Sequence, residues 1–122
     1  MRKRKTIVMR SVDELLQDLV LFQHDPKLVD EIALHAYAGD LHAQYALGLI
    51  YAEGRGIDED LVKSFAWLSV AVHEGDTDAE SLRYIVSERM NDEQLAQVDE
   101  VILQITKKIN ENRYAAKGRT LN

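Results

Sequence analysis

The sequence predicts an all-α protein: an α/α superhelical repeat array of about six helices with a helical cap at each end. Three observations predict it. Helix start and stop signals follow one another at short intervals, with one proline and six glycines in 122 residues. Between those signals apolar residues recur every three or four positions, the spacing of a helix face. Finally, a shift of 36 residues lays Ala36-Tyr37-Ala38-Gly39-Asp40-Leu41-His42-Ala43 over Val72-His73-Glu74-Gly75-Asp76-Thr77-Asp78-Ala79, with Gly, Asp and Ala in register. A period in the thirties made of paired helices marks a solenoid, whose units bury their apolar sides against one another.

Each helix has its own signals. Ser11 and Glu14 form a capping box, with Leu15, Leu16, Leu19, Val20 and Phe22 following at helical spacing. Asp25-Pro26 reads as an N-cap with proline in the first helical position, where its missing N–H costs nothing, and Gly39 ends that helix after about residue 38. Asp40 caps a third helix with Ala43, Leu47, Ile50 and Tyr51 on one side, closed by Glu53-Gly54-Arg55-Gly56. The acids Asp58, Glu59 and Asp60 favour the positive start of a fourth helix, which stops at Gly75. That helix carries Leu61, Val62, Phe65, Ala66, Trp67, Leu68, Val70, Ala71 and Val72, leaving almost no polar face, so it belongs in the middle of the array. Thr77 with Glu80 offers a capping box for a fifth helix. Asn91 caps a long sixth, with Leu95, Val98, Ile102, Ile105 and Ile109 along one stripe. Two arrangements cover that stripe: docking within the chain, or a homodimer through the C-terminal helix.

The residues inside the repeat make it specific. Ala43-Gln44-Tyr45-Ala46-Leu47-Gly48, then Tyr51, Gly54, Gly56-Ile57, Asp60, Lys63, Trp67, Ala71, Gly75 and Ala79 resemble the consensus of the Sel-one-like repeat, a relative of the tetratricopeptide repeat. The resemblance covers one full repeat, about residues 43–75, and the start of a second that decays after Ala79. Residues 84–88 lack the second Leu-Gly-x-x-Tyr, and the chain before residue 43 lacks the motif altogether. A short array with capping helices follows, since a terminal repeat otherwise exposes an apolar face. The expected organisation is a basic arm over residues 1–10, a repeat domain over 11–113 and a flexible tail over 114–122. Within the motif, Gly48 and Ala71 allow close helix approach, Gly54, Gly56 and Gly75 allow turns, and Leu47, Tyr51, Phe65 and Trp67 fill the core.

Charge is unevenly spread. Residues 11–106 hold five basic and twenty acidic side chains, 5 − 20 = −15, whereas residues 1–10 carry five positive charges and residues 107–122 carry five positive and one negative. An acidic body counts against a nucleic-acid-binding surface and favours a basic partner. Arg2-Lys3-Arg4-Lys5 reads either as a solubilising tail, as an arm folded onto the acidic body, or as an arm for nucleic acid or anionic lipid. Without cysteine there is no disulfide or thiolate metal site, and with no apolar run near 18 residues there is no membrane span. A cytoplasmic protein is expected.

No catalytic constellation stands out. His24, His35, His42 and His73 include no pair at the i, i+4 spacing of two ligands on one helix face. The paired carboxylates fall at helix starts, where they are stabilising without catalytic duty. The expectation is a non-enzyme, with no metal, no cofactor and no small-molecule substrate, acting as a protein interaction scaffold or adaptor; the alternative is an acidic regulator that occupies a basic surface of another protein. On the helix carrying Ala43 and Leu47, a second side presents His42, Tyr45, Leu49 and Ala52. On the frame implied by the resemblance this is the ligand face, and the matching side of the next helix is Asp78, Ser81, Ile85, Glu88 and Arg89. Leu49 is the apolar exception there, open to a partner or covered by the first helix or a neighbouring chain.

Overall fold

The computed structural model describes residues 25–120 together with Glu14, and side chains as far as Ala116. The helix expected over residues 11–22 and the basic arm therefore lie outside the described residues. What is described is five helices: α1 (Pro26–Tyr37), α2 (Leu41–Glu53), α3 (Leu61–His73), α4 (Thr77–Glu88) and α5 (Asp92–Thr120).

Local chemistry sets the helix starts. Asp25, Asp40 and Asp60 each accept a backbone N–H of the first turn, from Lys27 at 3.0 Å, Ala43 at 3.1 Å and Lys63 at 3.0 Å. Asn91 and Gln94 satisfy each other's backbone N–H reciprocally, at 2.8 and 3.0 Å, which starts α5. Two starts differ from expectation: Asp58, Glu59 and Asp60 precede the first turn of α3, with Asp60 as its N-cap, and the cap of α4 is shifted by one residue. Asp76, not Thr77, is the N-cap of α4, because its carboxylate accepts from both Asp78 N (3.0 Å) and Ala79 N (3.3 Å). At the other end of α2, Gly54 takes a left-handed φ of 71° and returns its N–H to Ile50 O at 2.8 Å, a closure that a Cβ would strain.

The largely apolar α3 is the hub, packed against α2, α4 and α5, while α1 packs on α2. Two clusters form the interior. One joins Leu28, Val29, Ile32 and Ala36 of α1, Ala43, Ala46, Leu47 and Ile50 of α2, Ala66, Trp67 and Val70 of α3, and Ile105 and Ile109 of α5. In it the Tyr37 and Trp67 rings meet edge to face, 4.9 Å apart. The other joins Ala52 to Leu61, Leu68, Ala71, Ala79 and Val86.

The α2–α3 contact is the tightest. A Cβ at Gly48 would overlap Cγ and Cδ2 of Leu68, so only glycine admits α3 at this distance. At the same point the buried Ser64 hydroxyl donates to Gly48 O at 2.6 Å. Gln44, fully buried, donates to Ala36 O at 3.1 Å and so satisfies a carbonyl of the last turn of α1.

The stripe of α5 docks within the chain: Val98, Ile105 and Ile109 are buried, Ile102 is half-buried, and Leu95 in the first turn lies outside the contact at 42% exposure. Beyond the stripe, Lys108 Nζ sits 4.3 Å from the Tyr37 ring centre, Asn112 donates to Tyr37 O at 3.0 Å, and Arg113 pairs with Glu74 at 3.1 Å. These cations meet the C-terminal ends of α1 and α3, where helix dipoles favour positive charge. Within the span expected as a tail, residues 114–122, α5 is helical to Thr120. Its last turns, Ala115-Ala116-Lys117, are strong helix formers, and the single Gly118 is too small a penalty to stop a helix already 29 residues long.

Candidate functional site

The ligand side expected on α2 is only partly open. His42 is exposed, Tyr45 and Leu49 are half-buried, and Tyr45 rests against the cluster shared by α3 and α4. Ala52 does not belong to this surface. It is 5% exposed, packed with Leu61, Leu68 and Ala79, because α4 closes over the last turn of α2.

Placing α4 beside α2 creates a groove of about 430 Å³ lined by His42, Tyr45, Asp76, Asp78 and Ser81. Asp76 spends one carboxylate oxygen on the helix cap, while Asp78 is exposed at the rim. Farther along α4, Ile85 is 58% exposed and Tyr84 66%, two large apolar groups left in the open. Arg89 closes the far end: it donates to Ala52 O at 3.1 Å and pairs with Glu59 at 2.7 Å, tying α4 to the loop before α3. Of the expected residues, the structure brings together His42 and Tyr45 with Asp78 and Ser81; Leu49 shares their helix face, and Arg89 is committed to the fold.

Asp76 was missed as a groove residue, and so was the anchoring role of Arg89. The first follows only from knowing that α4 starts one residue earlier, at its Asp cap. The second depends on a contact across 37 positions of chain, from Arg89 to Ala52, for which the sequence carries no local signal.

Among the described residues no group of three or more His, Asp or Glu could hold a metal ion. Burial pushes the Tyr37 and Tyr51 phenols above their ordinary range, for Tyr51 with the nearby Tyr37, Asp60 and Asp30 adding to the effect. Both tyrosines pack against the core cluster of α1 and α2 and neither lines the groove.

The fold recurs in a protective antigen present in uropathogenic Escherichia coli strains, whose crystal structure displays an SLR fold. It aligns with 88% of this chain at a TM-score of 0.71 and 24% identity, over 23% of its own length. The chain has an SLR fold. The Sel-one-like motif on α2 and α3 thus lies in the architecture from which its glycine spacing was read. A 56-residue segment, 46% of the chain, is 39% identical to the alginate biosynthesis protein AlgK of Azotobacter vinelandii, of which it spans 12%. No protein-family model matches the chain. In both relatives the SLR chain described here corresponds to less than a quarter of the length. No described helix is long and apolar enough to cross a membrane.

Proposed function

We propose that this SLR chain is a non-catalytic scaffold or adaptor that binds a partner polypeptide on the face shared by α2 and α4. The contacts are His42, Tyr45 and Leu49 from α2 and Asp78, Ser81 and Ile85 from α4. The groove between the two helices carries the reading: it combines an aromatic, carboxylates and open backbone-sized space, beside exposed apolar groups that the interior does not use. A cytoplasmic setting fits a chain without cysteine.

Affinity capture with the intact chain and with Leu49→Asp tests it. The variant is expected to keep its helical circular dichroism and lose its dominant partner, because a half-buried leucine beside the groove becomes a charge. Unaltered capture by the folded variant removes this face from consideration.

The charge of the body favours a more specific reading, in which the partner surface is basic and this chain masks it as an acidic regulator. Exposed charge attraction fades as the Debye length falls from about 10 Å at 0.1 M salt to about 3 Å at 1 M. Capture should then weaken steeply with salt, mainly through slower association. Salt-independent capture would leave the apolar groups, Leu49 and Ile85, as the main contacts.

A further inference from the structure

A second cleft lies on a different side of α4, where α3, α4 and α5 meet. In the first repeat unit Leu47 and Gly48 let the following helix pack at close range. A shift of 36 residues puts Arg83 and Tyr84 in their places on α4. The following helix, α5, accordingly makes no extended contact with α4 and instead crosses α3 toward α1. A wedge of about 430 Å³ stays open, its walls made by Val70 and Val72 of α3 and Ile102 and Ile109 of α5, with Arg83 at its α4 edge. That volume lies within the roughly 300–1,000 Å³ typical of small-ligand sites.

The charge in this cleft is unusual for an acidic molecule. Arg83 donates through Nη1 to Ser69 Oγ at 3.3 Å and lies over the Phe65 ring, 5.7 Å from its centre. These contacts hold the guanidinium in place but do not neutralise it, and Arg83 has no carboxylate partner among the described residues. The one carboxylate lining the cleft, Glu74, is engaged by Arg113. Nε and Nη2 of Arg83 carry no hydrogen bond, which leaves one edge of the fork for a bidentate carboxylate.

We propose that this cleft binds a free medium-chain monocarboxylate, its aliphatic body against Val70, Val72, Ile102 and Ile109 and its carboxylate on Arg83. An apolar wedge alone would take any greasy group; the fixed, unpaired guanidinium at its edge selects an anionic head. The site is separate from the α2–α4 face and stands or falls without it.

Sodium octanoate is the probe, titrated into the whole chain and followed by backbone amide shifts. Saturable shifts are expected at Val72, Arg83, Ile102 and Thr106. Affinity should rise through butyrate, hexanoate and octanoate by up to about fourfold per methylene, the equivalent of roughly 0.8 kcal/mol for each buried CH₂. 1-Octanol should bind at least about tenfold more weakly than octanoate, because it forgoes a charge-assisted bond. Arg83→Gln should weaken octanoate to the level of the alcohol, and Arg83→Lys should recover part of the difference. Equal affinity for octanoate and 1-octanol on the unaltered chain overturns the proposal without any variant. So do shifts that fall on Tyr45 and Ser81 instead of the cleft, or tighter binding of a peptide ending in Val-Leu than of octanoate, which would make the source a polypeptide C-terminus.

Discussion

The two sides of α3 were built by opposite rules. Toward α2 everything is closed: glycine faces Leu68, the Ser64 hydroxyl fills its hydrogen bond on Gly48 O, and Trp67 is 3% exposed. Toward the α4–α5 side the same helix is left half-covered, with Val70 and Val72 lining an open wedge. The difference follows from two residues of the repeat. Leu47 and Gly48 supply a knob and a gap, whereas Arg83 puts a charge at the edge of the wedge and Tyr84 stands in solvent. Repeat stacking is therefore a property of particular contact positions, and where they change, a stacking surface becomes a binding surface.

The largest effect that tests this contrast is expected at the closed side. Trp67→Ala should cost about 3–5 kcal/mol, because it removes a ring packed edge to face on Tyr37 with little room for the site to collapse. A denaturant midpoint that barely moves would mean the closed side is looser than described.

A paired substitution sharpens the contrast further. Gly48→Ala should destabilise by about 1–3 kcal/mol by forcing Leu68 out of position. At the equivalent position on the open side, Tyr84→Ala should stay within about 0.5 kcal/mol, since the ring is 66% exposed. Similar losses at both sites would erase the distinction between them.

Alkaline pH probes the closed side without mutation. In the unfolded chain the Tyr37 and Tyr51 phenols ionise near 10, and burial in the fold raises both. Above pH 10 the unfolded chain therefore holds fewer protons than the native one, and stability, complete below that pH, declines as the folded values are approached. Unfolding midpoints measured from pH 8 to 11 should show this decline, and the Tyr37→Phe, Tyr51→Phe double variant should flatten it.

The smallest effect is expected at the basic start of the chain. Deleting residues 1–5 should leave thermal stability nearly unchanged, as surface ion pairs contribute only about 0–1 kcal/mol each. If the arm screens the acidic body, the same deletion should tighten capture of a basic partner; loss of capture would make the arm itself the contact.

Much of the fold was legible because its signals are local. The Asp25-Pro26 cap, the Asp40 cap, the Asn91 start and the glycine closures each act within a few residues of chain, and the apolar periodicity of α3 announced its central place; the acids before α3 were legible as charge at a helix start, but not the capping role of Asp60. The ligand face was legible only in part. His42 and Tyr45 are where helical spacing puts them, but Ala52, one helical turn past Leu49, is buried by α4, a neighbour whose position no spacing on α2 reports.

By itself the sequence determined the five described helices, their order and the repeat that pairs α2 with α3, since capping, turn geometry and periodicity are short-range physics. Only the tertiary structure decided which apolar stripe docks where. The pattern of the α5 stripe does not say what covers it; in the structure Ile105 and Ile109 meet the α1–α3 core while Lys108, Asn112 and Arg113 reach the C-terminal ends of α1 and α3. That docking draws α5 away from α4 and opens the cleft at Arg83, because one helix cannot cover both sides of the hub.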